Sequence, residues 1–349
     1  MNQITPQKTR RIKKIVPGEE KKNLYSWANL FFEKKSTASN KTKKMQKRYL
    51  RLFFSFLEKE TGNTFCDSWT PRLAKSFQLS MQNTFNEDGS RVWSDRTINN
   101  VQNLIKPFAN FVHENRPFPL GSPLSKVKKI PVSNQLEIER AITKQERNRI
   151  LDSADQLVFV GGRSRDRQRS KGARPPQRKT FRPFRNRAII YTLIETGMRR
   201  TAITRLNLND IDFEKRILSV KEKGGGVQPY PISSQGLEAV KNYIDKERSK
   251  DNQKWNSSAL FLSPASNPHG NGRLSPQVIN TVWNKTRDFA GVSKDKTPHS
   301  ARHGMGAFIM EKTGNVSAVQ RQLGHKNASF SMQYSRISND ELKRVLDER

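Results

Sequence analysis

The 349-residue chain contains a single cysteine, Cys66, which excludes an internal disulfide and a cysteine-based zinc site. No apolar run is long enough to cross a bilayer, and no signal peptide or lipidation motif opens the chain. Acids are scarce: 32 Asp and Glu face 65 Lys and Arg, giving a formal charge of +33. That much like charge repels itself in a compact state, so a polyanionic partner is its natural counterweight, with nucleic acid ahead of a membrane surface. Histidines number only five, and three of them, His299, His303 and His325, fall close together near the end. The expected setting is a reducing cytoplasm, with the protein associated with the nucleoid, and a nucleus is the alternative.

The length allows two domains, and the hydrophobic patterning places them. Residues 1–22 are polar, basic and aperiodic, and are read as an N-terminal arm. Residues 23–127 repeat apolar side chains at three- and four-residue spacing, which predicts a small helical domain. Lys and Arg crowd one face of its second helix from Lys41 to Arg51; in a chain this basic the face suits phosphate better than plain solvation. A Pro-, Ser- and Lys-rich stretch marks an interdomain linker at 128–142, and the second domain runs from 143 to 349. It opens on a capping box, Thr143 with Glu146. Its segment 161–187 is arginine-dense and nearly free of apolar residues, which predicts a basic loop. Two alternating runs around Gly224–Gly226 predict a β-hairpin, and the stretches around it predict helices.

In TPHSARHGMG, Thr297 can cap a helix, Pro298 suits its first position, and His299 and Arg302 share one face. Such a face offers an imidazole and a guanidinium to one anion, and the guanidinium fork matches phosphate oxygens. His303 stands one residue beyond Arg302, rotated from it, and is read as a packing or capping histidine. Upstream, TGMRR sets Arg199 just after a glycine, and KEKGGG sets Lys223 at the hairpin tip. Downstream, LGH sets His325 past a helix-ending glycine, and Tyr334 follows nine residues later, in an expected short helix.

The ordered set Arg199, Lys223, His299, Arg302, His325 and Tyr334 resembles the tyrosine recombinase, or phage integrase, family. The words TG-x-R, L-x-x-x-D-I-D, H-x-x-R-H-G and L-G-H match it across about residues 143–340. The resemblance implies a mainly α fold of the α+β kind: a helical, SAM-like core-binding domain and a mostly helical catalytic domain with a small antiparallel sheet. It implies site-specific cutting and rejoining of duplex DNA through a 3′-phosphotyrosine, by a homotetramer on two DNA sites, without metal or other cofactor. The biological setting it suggests is integration, excision or inversion of a mobile element, with accessory proteins as further partners. It also implies the roles. Arg199 and Arg302 clamp the phosphate oxygens, His299 and His325 donate hydrogen bonds, His299 also assists proton transfer with Tyr334, Lys223 protonates the leaving oxygen, and Tyr334 attacks. The family register selects Arg199 over Arg200, and Lys223 over Lys221 on the same strand face. The C-terminal tail 339–349 would dock on a neighbouring subunit.

One family position departs. The acid usual three residues after the first arginine is Ala202 here, with Glu195 as a substitute candidate. His113 and His269 fall in no motif. A dimer-resolving recombinase, a type IB topoisomerase and a non-catalytic DNA-binding relative are the rival readings. The spacing from LGH to Tyr334 speaks against the topoisomerase, and the presence of all six residue types speaks against the non-catalytic relative.

Overall fold

The structure is a computed structural model that describes residues 23–35, 38–125, 127–132, 140–162, 178–221, 226–264, 271–325, 327–335 and 347. The arm, Lys223, the centre of the basic segment and nearly all of the tail lie outside them. Two compact units divide the chain, Met1–Asn134 and Gln135–Arg349. The fold is mostly helical, with one small antiparallel sheet.

The first unit holds helices α1 (Leu24–Leu30), α2 (Asn40–Thr61), α3 (Pro71–Gln82) and α4 (Asp95–Asn115). Each starts on a side chain able to accept a hydrogen bond from an orphan first-turn amide: Asn23, Ser39, Thr70 and Ser94. The interior is aromatic. Phe53, Phe54, Phe108 and Trp69 are buried together, and the rings of Trp69 and Phe108 stack at 5.9 Å. Residues after α4 fold back on the unit: Asn99 accepts from the amide of Ile130 and donates to its carbonyl, both at 2.9 Å. The basic face of α2 forms a cleft in which Lys44, Lys47, Arg48 and Arg51 surround Trp93.

In the second unit, α5 (Lys144–Val160) begins with the expected Thr143–Glu146 capping box. Next, α6 (Pro183–Thr196) runs through the middle of the core, with Ala188 to Thr196 all buried. A short α7 (Arg200–Ile203) leads into β1 (Ile211–Asp212), β2 (Ile217–Lys221) and β3 (Val227–Pro231), antiparallel in that order. The last β2–β3 pair is Lys221 with Val227, so residues 222–226 join the two strands. Then follow α8 (Ser234–Tyr243), α9 (Ser249–Trp255), α10 (Pro276–Phe289), α11 (Pro298–Thr313), α12 (Val316–Leu323) and α13 (Ser329–Met332).

Two local expectations are corrected. Helix α6 starts at Pro183, inside the segment 161–187 read as a loop. Arg182 pairs with Asp251 at 2.6 Å, Arg187 pairs with Asp155, and the nearly buried Arg185 donates to the carbonyl of Leu262. These arginines are anchored because a buried guanidinium must find acceptors, and the core supplies them. The base of the segment is closed by the amide of Arg178 on the carbonyl of Gly162, 2.9 Å apart, while residues 163–177 lie outside the described set. Second, Tyr334 does not sit in a helix. Helix α13 ends at Met332, and Tyr334 falls in the turn that follows.

Candidate active site

The site is built on two helix ends. Helix α6 stops at Gly197, which has φ +66°, and α12 stops at Gly324, with φ +61°. Glycine is the residue that takes this left-handed cap at little cost. At Gly197 space also demands it, because a Cβ would come within 2.8 Å of Leu323 and 3.2 Å of Met305. Such ends leave carbonyls without intrahelical partners. Arg302, projecting from α11, satisfies one at each: Nη1 donates to the carbonyl of Gly197 at 2.9 Å, and Nη2 to that of Leu323. Gln322 adds a bond from its Nε2 to the carbonyl of Thr196 at 3.0 Å, and another to Pro231 at the end of β3. The TG-x-R turn, the LGH turn and the hairpin are thereby fixed to one another.

Arg302 is only 2% exposed. Burial, then the neighbouring Arg199 cation, pulls its guanidinium below the ordinary arginine value, while Tyr230 of β3 and Tyr334 act in the opposite direction. Two helix C-termini carry partial negative charge and compensate the buried cation in place of a carboxylate. Arg199 stands at the N-terminus of α7, half-buried, on the wall of an open cleft of about 680 Å³. The same cleft is lined by Arg200, Arg287, Lys294 and the exposed His299.

His325 follows Gly324, with its Nδ1 2.8 Å from Oγ of the fully buried Ser331. Its pKa is pushed down to about 4, first by burial and then by the charges of Arg302, Arg199, His303 and His299. It is therefore neutral at pH 7. A Ser331 hydroxyl that donates to Nδ1 would place the imidazole proton on Nε2.

Tyr334 is 8% exposed, and its hydroxyl lies 2.7 Å from Nδ1 of His303. His303 itself is 4% exposed and meets His299 edge-to-face at 4.5 Å. Gly306 clears room for the phenol ring, since a Cβ there would fall 2.6 Å from its Cζ.

Five of the six expected residues thus converge on one cationic cluster: Arg199, His299, Arg302, His325 and Tyr334. Lys223 lies outside the described residues. Yet the hairpin that carries it is docked close by, since Nε2 of Gln228 on β3 donates to the carbonyl of Arg321 at 2.9 Å. His303 is buried and packed, as expected, and it also touches the Tyr334 hydroxyl. It is four residues from His299, hence on the same helical face, a relation missed when its angle is taken from Arg302. Ser331 carries no sequence signal beyond its spacing of three from Tyr334. Ala202 is core, and Glu195 pairs with Arg147 of α5. His113 accepts from the amide of Phe118 at 3.0 Å at the end of α4, far along the chain from this cluster, and His269 is outside the described residues.

Two tests follow from this packing. Gly306→Ala should overpack the ring and destabilise the fold by about 1–3 kcal/mol. Tyr334 should then become open to nitration, read by mass spectrometry; unchanged protection would contradict the contact. Second, the His325 C2–H resonance should stay that of a neutral imidazole from pH 8 down to about pH 5.5. Its folded pKa of about 4 lies below the unfolded value of about 6.5, so the native state binds fewer protons. Stability should fall as pH drops from 6.5 towards 4, and a His325 that titrates near 6.5 would refute the assignment.

Comparison with known proteins agrees with this geometry. Residues 177–341 match the model of the phage integrase family. Tyrosine recombinase XerD of Staphylococcus saprophyticus is 28% identical over 165 residues, covering 47% of this chain and 54% of that protein. XerD of Corynebacterium glutamicum is 32% identical over 162 residues, covering 46% and 51%. The chain spans about half the length of the curated relatives it matches. Among solved structures, the Tn1549 transposon integrase in complex with a circular intermediate DNA superposes with a TM-score of 0.64 at 18% identity, covering 94% of this chain and 99% of that one. A lambda integrase dimer bound to a core site gives 0.59 at 12% identity, covering 91% and 79%. Residues 177–341 are thus similar in sequence to the phage integrase family of tyrosine recombinases, and the fold is shared with solved integrases.

Proposed function

We propose that the chain is a site-specific recombinase that cleaves and rejoins duplex DNA through a 3′-phosphotyrosine. The observation that carries this is electrostatic. Arg199 and Arg302 repel one another and, behind burial, depress His325 in a cluster that also holds a buried tyrosine. A phosphodiester entering the cluster would relieve that repulsion, and in-line attack would place growing charge on the oxygens the cations face. Tyr334 is the nucleophile. Arg199 supplies its guanidinium fork, and Arg302 the donors not spent on the two carbonyls. His325 donates from Nε2, and His299 from the cleft wall. Lys223, between the two hairpin strands, gives its proton to the departing 5′ oxygen. No metal enters this scheme, because the guanidiniums take the neutralising role a magnesium ion has elsewhere.

The formal charge of +33 and the basic cleft on α2 favour extended contact with the DNA backbone. The relatives solved on DNA favour the same partner. A homotetramer joining two sites, with accessory proteins, and integration, excision or inversion of a mobile element complete the reading. The Xer names of the curated relatives favour dimer resolution as the second reading, and the mapped target site separates the two.

The test uses nicked suicide duplexes drawn from DNA flanking the gene. The wild-type chain should form an SDS-resistant adduct, and Tyr334→Phe should form none. An adduct that persists in Tyr334→Phe assigns another nucleophile and overturns the reading.

A further inference from the structure

The six-residue scheme leaves a buried imidazole unused. His303 contacts the atom that would attack, with 2.7 Å between Nδ1 and the Tyr334 hydroxyl. The contact is built rather than incidental. His299, His303 and Gly306 recur at spacings of four and three on α11, so they share a face. The first is exposed at the cleft, the second is buried beneath it, and the third leaves the space that the phenol ring fills. A phenol ionises near pH ~10, so at neutral pH nearly all of it is the weak, protonated nucleophile. A base in contact with that proton removes the difficulty, and general-base assistance is worth roughly 10²–10⁴ in rate.

The geometry points to His303 as the general base of the cleavage step, an assignment that rests on the function proposed above. In cleavage, the Tyr334 O–H bond breaks and its proton passes to Nδ1 of His303, whose other nitrogen carries the tautomeric proton. The phenolic oxygen forms its bond to phosphorus as the bond from phosphorus to the 5′ oxygen breaks. That 5′ oxygen takes a proton from Lys223. Rejoining runs in reverse: a 5′ hydroxyl attacks, and His303 returns the proton to the departing phenolate. Among the described residues, the charged and titratable groups of the cluster that holds the pair include His299 on the same helix, Arg302 next in the chain, Arg199 on the TG-x-R turn, His325 beyond α12, and Tyr230 on β3. His299 remains the group that faces the cleft.

The experiment is single-turnover adduct formation on a suicide duplex, with wild type, Tyr334→Phe and His303→Gln measured in parallel, and with DNA affinity and circular dichroism recorded for each. His303→Gln should bind DNA as wild type does and form adduct at least about 100-fold more slowly. Installing 3-fluorotyrosine at position 334, a more acidic phenol, should speed His303→Gln far more than wild type, because only the variant must ionise the phenol unaided. A merely structural role for His303 predicts no such selective rescue. Adduct formation by His303→Gln within about threefold of wild type, or faster, overturns the inference while leaving the tyrosine nucleophile intact. Fluorine effects equal in the two proteins overturn it as well. A pH profile keeps the test decisive if His303→Gln is partly unfolded: otherwise wild-type protein carrying 3-fluorotyrosine should keep the low-pH limb of its rate unmoved. A limb that moves with the phenol contradicts base catalysis by histidine. An adduct that survives Tyr334→Phe removes the nucleophile itself, and with it the proposed function as well as this step.

Discussion

Everything in the candidate site depends on where one guanidinium finds its acceptors. Arg302 is buried and has no carboxylate among its described hydrogen-bond partners; it uses the carbonyls at the ends of α6 and α12. A helix end needs donors for its last carbonyls, and a buried cation needs acceptors and negative potential. Each solves the other's problem. The consequence is geometric: the turn bearing Arg199 and the turn bearing His325 are held to the helix bearing His299 and His303. Gln322 and Gln228 extend the same device to the hairpin, again by bonding carbonyls rather than charges.

That economy explains Ala202. Where the family expects a carboxylate behind the first arginine, this chain has core packing, and the acid just upstream, Glu195, is taken by Arg147. The helix termini carry the compensating charge instead. An excess of positive potential results, and it adds to burial in lowering the pKa of His325. The same excess is the feature an anionic substrate would exploit.

Much of this was legible in the residues. Glycines 197 and 324 announce helix ends, Thr297-Pro298 announces a helix start, and the spacing from LGH singles out one tyrosine of six. The helices of the first unit follow from apolar periodicity, although α3, with its Thr70-Pro71 opening, gave too short a pattern to stand out. What stayed hidden are relations through space. His303 belongs with His299 by helical angle and with Tyr334 only by folding. Ser331 matters because its hydroxyl meets an imidazole six residues earlier in the chain. The arginines at 182, 185 and 187 read as a basic loop, because nothing local reveals Asp251, Asp155 or the carbonyl of Leu262 as their partners.

The most direct test of the account is a crystal structure of the Tyr334→Phe chain bound to an intact target duplex. The account predicts one backbone phosphate within hydrogen-bond distance of both Arg199 and Arg302, with Arg302 still donating to Gly197 and Leu323. The phenyl ring introduced by the substitution should lie against Gly306 and beside His303. A phosphate bound elsewhere, or an Arg302 that leaves its two carbonyls to reach it, would contradict the claim that this one guanidinium both assembles the site and serves it.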